Sequence, residues 1–256
     1  MKIIAFTNQK GGVGKTTTTA SLGAALAERG KKVFLIDMDP QGNLTVSFGV
    51  KAHELKNTVY EVLKEQAAIS EVVVDVERPG GSLKLLPANL ALSAAETELS
   101  AKPGREFLLK EALANYNETF DYILIDCPPS LGLLTINALV AAGGHIIPLA
   151  SEFLALYGTS QLIEIVDVVR KRINPDLALI GVVITQHDNR KLHSREIVDQ
   201  IKAYFGDKVF NTIIRANVKL TEAPSFGQDI FTYEPSSMGA DDYSALADEL
   251  VKEAQQ

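Results

Sequence analysis

The chain has 256 residues, of which 46% are hydrophobic and 22% charged, a balance typical of soluble globular proteins. These proportions exclude a disordered, collagen-like or disulfide-stapled chain, and the single cysteine, Cys127, cannot form an internal disulfide. No apolar run reaches the roughly 18 residues that a membrane span needs, and the first residues carry no signal-peptide pattern, so we expect a cytoplasmic protein. The net charge of −7 means that a polyanionic partner must meet a local basic patch.

Strand-like and helix-like segments alternate along the chain. Short apolar runs typical of buried parallel strands cover 2–7, 32–37, 83–87, 122–126, 144–148, 177–184 and 209–214. A helical pattern runs from Lys15 to about Arg29 and is ended by Gly30. The alternation predicts an α/β fold with one doubly wound, mainly parallel sheet and helices on both faces. No linker or low-complexity stretch interrupts it, so we expect a single domain over 1–256.

A glycine-rich loop with a lysine and two threonines follows the first predicted strand. Its residues are Asn8, Gln9, Lys10, Gly11, Gly12, Val13, Gly14, Lys15, Thr16 and Thr17. Glycines let several backbone N–H groups converge on a phosphate, and the helix that begins near Lys15 adds its positive dipole end. Lys15 can bridge the β- and γ-phosphates, and the Thr16 hydroxyl can hold Mg²⁺. The loop is therefore a predicted phosphate-binding site.

Two nucleotide-binding patterns compete for this loop. The P-loop pattern expects a glycine where the chain has Gln9, but the chain supplies Lys10 and paired glycines instead. The dinucleotide pattern G-x-G-x-x-G meets Thr17 at its third glycine, and Asp37 is its only further support. The Gly-Lys-Thr sequence between a strand and a helix favours the P-loop.

Carboxylates end two of the other predicted strands. Asp126 closes the run 122–126, which is the arrangement that holds Mg²⁺ through water beside a P-loop. Asp37 and Asp39 end the second predicted strand. We predict that Asp37 supports the Mg²⁺ shell and that Asp39 positions the attacking water. The alternative is that both carboxylates only begin a turn before Pro40.

Three segments together resemble the ParA/Soj-type partition ATPases of the deviant Walker A superfamily, which includes MinD. They are KGGVGKTT at 10–17, DMDPQGN at 37–43 and DCPPSLG at 126–132, and the resemblance continues to NVKLTEAPS at 217–225. It covers nearly the whole chain and implies the P-loop NTPase fold and hydrolysis of ATP with Mg²⁺. Because the chain starts at its first strand, it resembles the short members that lack an N-terminal helix-turn-helix domain.

The resemblance also implies a homodimer that forms with ATP. In such dimers the signature lysine, here Lys10, reaches the phosphates held by the partner, and Gly11 and Gly12 stay small because the opposing backbone approaches closely. Asn217 matches a position near the adenine, although Arg215 and the alanine after it depart from the usual sequence there, as does Ala150 elsewhere. Hydrolysis, stimulated by a ParB-like partner, releases the dimer.

Family dimers bind DNA without sequence preference, which would place the protein on the nucleoid. The positions that match DNA-contacting residues are Arg190 and Lys219. They belong to a run of basic residues: Arg170, Lys171, Arg172, Arg190, Lys191, Arg195, Lys202, Lys208, Arg215 and Lys219. Acidic residues are interleaved, so the run forms a patch only if folding sorts it. His187 and His193 can add to the same face.

Two other functions remain open for the same motifs. A MinD-like membrane switch needs a basic amphipathic helix at its C-terminus, whereas 241–253 is acidic, which argues against attraction to anionic lipid. A metabolic ATP-dependent ligase needs a further substrate pocket, which the sequence does not identify. The cargo is not encoded in any motif: chromosome origins, a plasmid or a protein assembly would all fit.

Overall fold

The computed structural model describes residues 1–78, 83–152 and 159–253. The described residues form one eight-stranded sheet with the order β3-β4-β2-β5-β1-β6-β7-β8. Its strands are β1 (Lys2–Phe6), β2 (Val33–Asp37), β3 (Val74–Val76), β4 (Leu83–Leu86), β5 (Tyr122–Asp126), β6 (Gly144–Ala150), β7 (Ala178–His187) and β8 (Val209–Arg215). All neighbours are parallel except β3, which runs antiparallel to β4.

Helices connect the strands, joined by short 3-10 turns. In the described ranges they are α1 (Lys15–Glu28), α2 (Asn43–Ser47), α3 (Val59–Leu63), α4 (Ile69–Val72), α5 (Ala95–Glu98), α6 (Leu108–Ala114), α7 (Leu133–Ala141), α8 (Thr159–Arg172), α9 (Leu192–Phe205), α10 (Val218–Glu222), α11 (Ile230–Tyr233) and α12 (Met238–Glu253). Within those ranges, none of the helices combines the length and the apolar character needed to cross a bilayer.

The predicted fold class is confirmed, with every predicted strand present and one strand added. The addition, β3, is a three-residue edge strand that is too short to leave an apolar pattern. The largest difference at a strand end is in β7, which continues to His187 although its apolar run stops at Ile184. The last three residues are polar: Thr185 and Gln186 contact the loop after β1, and His187 hydrogen-bonds to Ser151 and Asn189. Hydrophobicity alone therefore places the end of β7 too early.

Alternate side chains of the strands pack on opposite faces of the sheet. In β2, Val33 and Leu35 join a core with α1 and α12, whereas Phe34 and Ile36 join a second core with α3, α6, α7 and α8. Every residue of β2 and of β5 is buried as a consequence. This two-sided burial explains why the strands appear in the sequence as continuous apolar runs without alternation.

The edge strand β8 is capped by carboxylates from α12. Glu249 accepts hydrogen bonds from the backbone N–H groups of Asn211, at 2.6 Å, and Thr212, at 2.9 Å. Asp242 accepts from the N–H of Arg215 at 2.9 Å. Unpaired N–H groups on an edge strand invite pairing with another chain. The acidic residues of α12 therefore complete the sheet and block its open edge.

We expect Glu249→Ala to lower the free energy of unfolding by about 1 kcal/mol, because it leaves the half-buried N–H of Thr212 and the exposed N–H of Asn211 without their acceptor. Urea unfolding measures the change, with Lys252→Ala on the same helix as an exposed control. Burial acts to raise the pKa of Glu249, but its hydrogen bonds outweigh burial and hold the pKa below the usual value. The contribution is therefore present at neutral pH and lost on acidification. Equal urea midpoints of unfolding for Glu249→Ala and Lys252→Ala would contradict the capping role of Glu249.

Candidate nucleotide-binding site

Three adjacent strands bring the predicted phosphate loop and carboxylates to one edge of the sheet. Strand β5 lies between β1 and β2, and its last residue, Asp126, is in register with Phe6 on one side and Asp37 on the other. The loop after β1 and the segment after β2, which carries Asp39, therefore begin side by side at the carboxyl edge. That edge is where open parallel sheets bind their ligands.

Side chains from the end of β7 hold the carbonyl groups of the phosphate loop. The Gln186 side-chain amide donates to the carbonyl oxygen of Gly12 at 2.6 Å. The Thr185 hydroxyl donates to the carbonyl oxygen of Val13 at 2.8 Å. These contacts join segments more than 170 residues apart in the chain. The loop is thus shaped from outside as well as by its own glycines.

Holding these carbonyls orients the N–H groups of the loop. A trans peptide unit is planar, and its C=O and N–H point in opposite directions. Fixing the carbonyl of Gly12 therefore turns the N–H of Val13 away from β7, and fixing the carbonyl of Val13 does the same for the N–H of Gly14. Glycine accommodates the turn, with φ of +73° at Gly12 and +85° at Gly14. The loop acquires the outward N–H groups that an anion site requires.

Sequence reasoning missed the residues that support this loop. Besides Thr185 and Gln186, the buried Asn8 anchors its start: the side chain donates to the carbonyl of Pro148 at 2.7 Å and accepts from the N–H of Lys10 at 2.9 Å. The only signal in the sequence was the polar ending of β7. A polar residue at a strand end is common, so that signal does not separate support from chance.

The phosphate-loop lysine, Lys15, lies inside the site. Its side chain is buried, and its ammonium donates to the carbonyl of Lys10 at 3.1 Å. Burial lowers the pKa of Lys15, and the nearby carboxylates of Asp126 and Asp39 act in the opposite direction. An ammonium that has already lost most of its water interacts strongly with a phosphate, because the local dielectric constant is low.

Thr16 and Asp126 form a pair of oxygen ligands that fits a magnesium ion. The Thr16 hydroxyl donates to Asp126 Oδ2 at 2.6 Å, while the buried Oδ1 of Asp126 has no hydrogen-bond partner among the described residues. An unpartnered buried carboxylate oxygen beside a hydroxyl suits a hard cation or its water ligand. In the described part of the chain, no three His, Cys, Asp or Glu side chains are placed to hold a metal together. Mg²⁺ usually keeps several waters and binds through one or two carboxylates and substrate phosphates, which is compatible with so few protein ligands.

The site holds more negative than positive charge. Burial and the neighbouring Asp37 raise the pKa of Asp126 well above its ordinary value. Burial also raises the pKa of Asp37, to about 6, although hydrogen bonds from Thr45 and Asp39 oppose the shift. One ammonium, that of Lys15, faces these carboxylates. The imbalance favours binding of an additional cation.

Asp37 shapes the segment that carries Asp39. Its Oδ2 accepts from the hydroxyl of Thr45 at 2.7 Å and from the Thr45 N–H at 2.9 Å, and its Oδ1 accepts from the N–H of Asp39 at 3.1 Å. Asp39 is only 7% exposed, and its Oδ1 accepts from the N–H of Gln41 at 2.9 Å. Asp37 thus serves first to position Asp39, and its predicted place in the Mg²⁺ shell stays a prediction.

The second lysine of the loop, Lys10, points to the surface. Its ammonium forms an ion pair with Glu152 at 2.8 Å, and 37% of its side chain is exposed. Gly11 and Gly12 beside it are exposed as well. Lys10 therefore does not enter the site of its own subunit as Lys15 does. The structure separates the two lysines of the motif into an inner and an outer position.

The direction of β7 and β8 divides the predicted basic run between two edges of the sheet. Arg190 and Lys219 follow the carboxyl ends of these strands, on the same edge as the phosphate loop. Arg170 and Lys202 lie in the last turns of α8 and α9, which lead to the amino ends of β7 and β8 on the opposite edge. The basic residues of 169–219 are therefore not one patch.

The two predicted DNA-contacting residues are exposed but paired with acidic neighbours. Arg190, with 90% of its side chain exposed, donates to both carboxylate oxygens of Asp188, at 2.9 and 3.0 Å. The hydrogen bonds of Arg190 lower the pKa of Asp188 to about 2. Lys219 pairs with Glu222 at 2.9 Å. Exposed pairs of this kind contribute little to stability and exchange readily for another anion.

Other residues near this edge have structural partners. Asn217 caps α10 by accepting from the N–H of Lys219 at 2.9 Å. The Arg215 guanidinium is bound to Asp242 of α12, at 2.6 Å for the shortest contact, so its side chain is committed to holding that helix. His187 is buried and does not add to the exposed basic surface.

The fold and the site define a P-loop nucleotide-binding protein of the deviant Walker A type, with a buried lysine at the phosphate loop, a second lysine outside it, and a hydroxyl–carboxylate pair for a metal. Comparison with known proteins agrees. A family model described as an AAA domain matches residues 1–179.

Relatives with named functions cover nearly the whole chain. The sporulation initiation inhibitor protein Soj of Bacillus subtilis is 47% identical over 252 residues, which cover 98% of each chain. The chromosome partitioning protein ParA of Myxococcus xanthus is 44% identical over 251 residues, or 98% of this chain and 88% of that protein. A solved structure from Mycobacterium smegmatis, named cobyrinic acid a,c-diamide synthase and containing ADP and magnesium, is 39% identical, with a TM-score of 0.87 and coverage of 100% and 96%.

The chain belongs to the ParA/Soj family of partition ATPases. The resemblance stated from its motifs and the prediction of an ATP-hydrolysing enzyme are thereby confirmed.

We expect Asp126→Asn to stabilise the nucleotide-free protein by about 1–2 kcal/mol at pH 8, since a buried carboxylate with an unpartnered oxygen becomes a neutral group of the same shape. Thermal unfolding with and without ATP and Mg²⁺ measures this. The same variant should lose most of the stabilisation that ATP and Mg²⁺ give the wild-type protein. A less stable variant that still responds fully to ATP and Mg²⁺ would contradict the assignment of Asp126.

The pH dependence gives a second test of the same charges. Carboxylates with raised pKa values, such as Asp37 at about 6, hold protons in the folded state that the unfolded chain has already released. The free energy of unfolding of the nucleotide-free protein should therefore fall as pH rises from about 4 through 6 and beyond. In Asp126→Asn the free energy of unfolding should fall less over this pH range than in the wild type, because one of the buried carboxylates is gone.

Proposed function

We propose that the protein is an ATP-driven partition ATPase that dimerises with bound ATP and Mg²⁺, binds DNA without sequence preference in that state, and segregates or positions a cargo. A ParB-like partner stimulates hydrolysis and so releases the dimer. The protein works in the cytoplasm on nucleoid DNA, as one ATPase domain over 1–256. Two observations carry the proposal. The motif places one lysine, Lys15, inside the site and a second, Lys10, at the surface, and the chain belongs to the family.

The geometry supports a role in the phosphate chemistry for each predicted site residue. The oriented N–H groups of the loop from Lys10 to Thr17 and the ammonium of Lys15 bind the phosphates, while Thr16 and Asp126 hold the metal, with Asp37 behind them. When bound, Mg²⁺ neutralises phosphate charge and orients the phosphates. Asp39, held by its contacts with Gln41 and Asp37, accepts a hydrogen bond from the attacking water.

The outer lysine supports assembly around shared nucleotides. The ion pair between Lys10 and Glu152 is exposed, so breaking it costs less than about 1 kcal/mol. Lys10 is then free to reach phosphates across a dimer interface, where it offsets charge that develops during transfer. A Cβ atom at Gly11 would meet nothing within 4 Å in the subunit. Crowding within one subunit thus does not explain the glycine, whereas close approach of a second subunit does.

We expect Gly11→Ala to leave the stability of the isolated subunit unchanged but to weaken the ATP-dependent dimer about tenfold or more, equivalent to ~1.4 kcal/mol. Its φ lies outside the left-handed region, so alanine fits the backbone without strain. Sedimentation velocity with a non-hydrolysable ATP analogue measures the dimer. Gly143→Ala is the matched control, because Gly143 is also exposed, has an unstrained φ and nearly open surroundings, and lies at the other edge of the sheet. Full dimerisation of Gly11→Ala would refute the shared-nucleotide interface.

DNA binding is assigned to the carboxyl edge. Arg190 and Lys219 lie on the edge that carries the phosphate loop, and a dimer formed across that loop would place two such sets together. Each residue can exchange its carboxylate partner for a DNA phosphate. Contacts with phosphates alone give binding that ignores sequence and weakens steeply with salt. A protein with a net charge of −7 then binds DNA only when the dimer combines the two sets.

We expect Arg190→Glu to reduce ATP-dependent retention on DNA about tenfold or more and to flatten its salt dependence, because phosphate contacts are lost. Arg170→Glu is the matched control: Arg170 is also an exposed arginine paired with an aspartate, Asp167 at 2.8 Å, but lies at the opposite edge. Cosedimentation with DNA over a range of salt concentrations measures both variants. Equal losses would assign the effect to net charge and remove the carboxyl edge as the DNA surface.

Parallel samples with anionic vesicles test the membrane alternative. In α12 the carboxylates of Asp242, Asp248 and Glu249 contact β8 and Arg29, so the helix presents acidic groups in fixed positions. Retention on vesicles with ATP, and none on DNA, would replace the partition proposal by a MinD-like switch. The name of the Myxococcus xanthus relative, chromosome partitioning protein ParA, favours DNA over the synthase reaction that the name of the Mycobacterium smegmatis structure denotes.

A further inference from the structure

Gln186 has a strained backbone that its surroundings hold in place. In the described ranges, Glu65 and Gln186 are the non-glycine residues with positive φ, at +59° and +54°. Such a conformation is costly for a residue with a Cβ atom and persists only where neighbouring contacts fix it. Gln186 is the second-to-last residue of β7, and its side chain is held by the 2.6 Å hydrogen bond to the carbonyl of Gly12. Strain of this kind, next to a phosphate loop, points to a functional constraint.

The contact lies on a peptide unit that a bound phosphate would also use. The carbonyl of Gly12 and the N–H of Val13 belong to one rigid plane. A phosphate that accepts from the N–H of Val13 therefore favours the orientation in which the carbonyl of Gly12 meets Gln186. Rotation of this plane would lose both the contact with Gln186 and the N–H group for the phosphate. A bound phosphate and the hydrogen bond from Gln186 therefore stabilise the same orientation of the plane, and each reinforces the other.

The residues after Gln186 are linked to one another up to Arg190. The backbone carbonyl of His187 accepts from Ala216 at 3.0 Å, and its ring bonds to Asn189 at 2.6 Å. Asp188 binds the guanidinium of Arg190 and also accepts from the N–H of Arg190 at 3.1 Å. A displacement of Gln186 is therefore transmitted to the turn that follows β7 and carries Arg190. Three residues lie between Gln186, which contacts the phosphate loop, and the exposed Arg190.

We propose that Gln186 is a positioning residue that couples the phosphate loop to the turn carrying Arg190, so that ATP at the loop and a polyanion at Arg190 strengthen each other's binding. This inference rests on the proposed function in one respect, namely that the polyanion is DNA. Dimerisation strengthens DNA binding by bringing together Arg190 and Lys219 of two subunits. The contact made by Gln186 would add a second effect, which acts within each subunit. Because the coupling is a free energy between two sites, DNA must raise the affinity for ATP by the factor by which ATP raises the affinity for DNA.

Two substitutions remove the contact in different ways. Gln186→Gly deletes the side chain and suits the positive φ, so it removes the link without adding strain. Gln186→Glu keeps the length but sets a carboxylate against the carbonyl of Gly12, and neither group can donate. Glu65→Gly is the matched control, because it relieves the same backbone strain at a surface site away from the loop. A general effect of relieving strain would appear in this control as well.

The first measurement is the affinity of each protein for a short DNA duplex with a non-hydrolysable ATP analogue or with ADP, both with Mg²⁺. Sedimentation velocity records the fraction of dimer in the same samples. At an equal fraction of dimer, we expect the ratio of the two affinities to be about fivefold or more lower in both Gln186 variants than in the wild type and in Glu65→Gly. Dimers of the variants that bind DNA with the wild-type ratio would overturn the proposal.

The second measurement is hydrogen exchange of the backbone amides of 187–191, which needs no DNA. We expect the ATP analogue to slow their exchange several-fold in the wild type and in Glu65→Gly but not in Gln186→Gly. If the wild type binds no DNA but shows this protection, the proposed function fails and the coupling of the turn stands. If the analogue leaves exchange in 187–191 unchanged in the wild type, the coupling is refuted whether or not DNA binds.

Discussion

The concentration of negative charge at the carboxyl edge of β1, β2 and β5 is the constraint on which the rest of the site depends. Asp37 and Asp126 are fully buried in adjacent strands, and Asp39 follows closely. Lys15 faces them as a buried ammonium. Such a group of charges is costly in a folded protein unless a cation or hydrogen bonds offset it. A metal bound at this edge together with a nucleotide would offset that charge.

The protein meets that constraint with hydrogen bonds to the backbone. Asp37 is satisfied by Thr45 and by the N–H of Asp39, and this arrangement holds the segment that carries Asp39. The phosphate loop is held through its carbonyls by Thr185 and Gln186, so that its N–H groups remain available. Both devices orient polar groups before the ligand arrives. Preorganised dipoles stabilise charge without a further cost of reorganisation.

The acidic and basic residues outside the site are sorted by the topology. Glu249 and Asp242 of α12 cap the edge strand β8, which gives the acidic C-terminal segment a structural purpose. Arg190 and Lys219 lie at the carboxyl edge, each paired with a nearby carboxylate. A chain with a net charge of −7 can in this way present basic groups on the edge where the nucleotide binds. Binding of ATP and of a polyanion can then be linked over a short distance.

Local patterns in the chain were enough to predict the class of fold, the strands and the phosphate loop. Buried parallel strands are apolar at every position, and the loop from Lys10 to Thr17 keeps its glycines, lysines and threonines consecutive. Family membership followed from those motifs and was confirmed by the relatives. These features depend on neighbours in the sequence, which is why they could be recognised without coordinates.

Contacts between distant segments could not be predicted in this way. The support of the loop by Thr185 and Gln186 joins β7 to the loop after β1, and the split of the basic run follows from the direction of β7 and β8. The use of Asp37 to position Asp39 likewise depends on Thr45, eight residues away, being folded back onto the strand end. Hydrogen-bond partners are chosen by distance and angle in three dimensions, and only the packed sheet brings these groups within reach of one another.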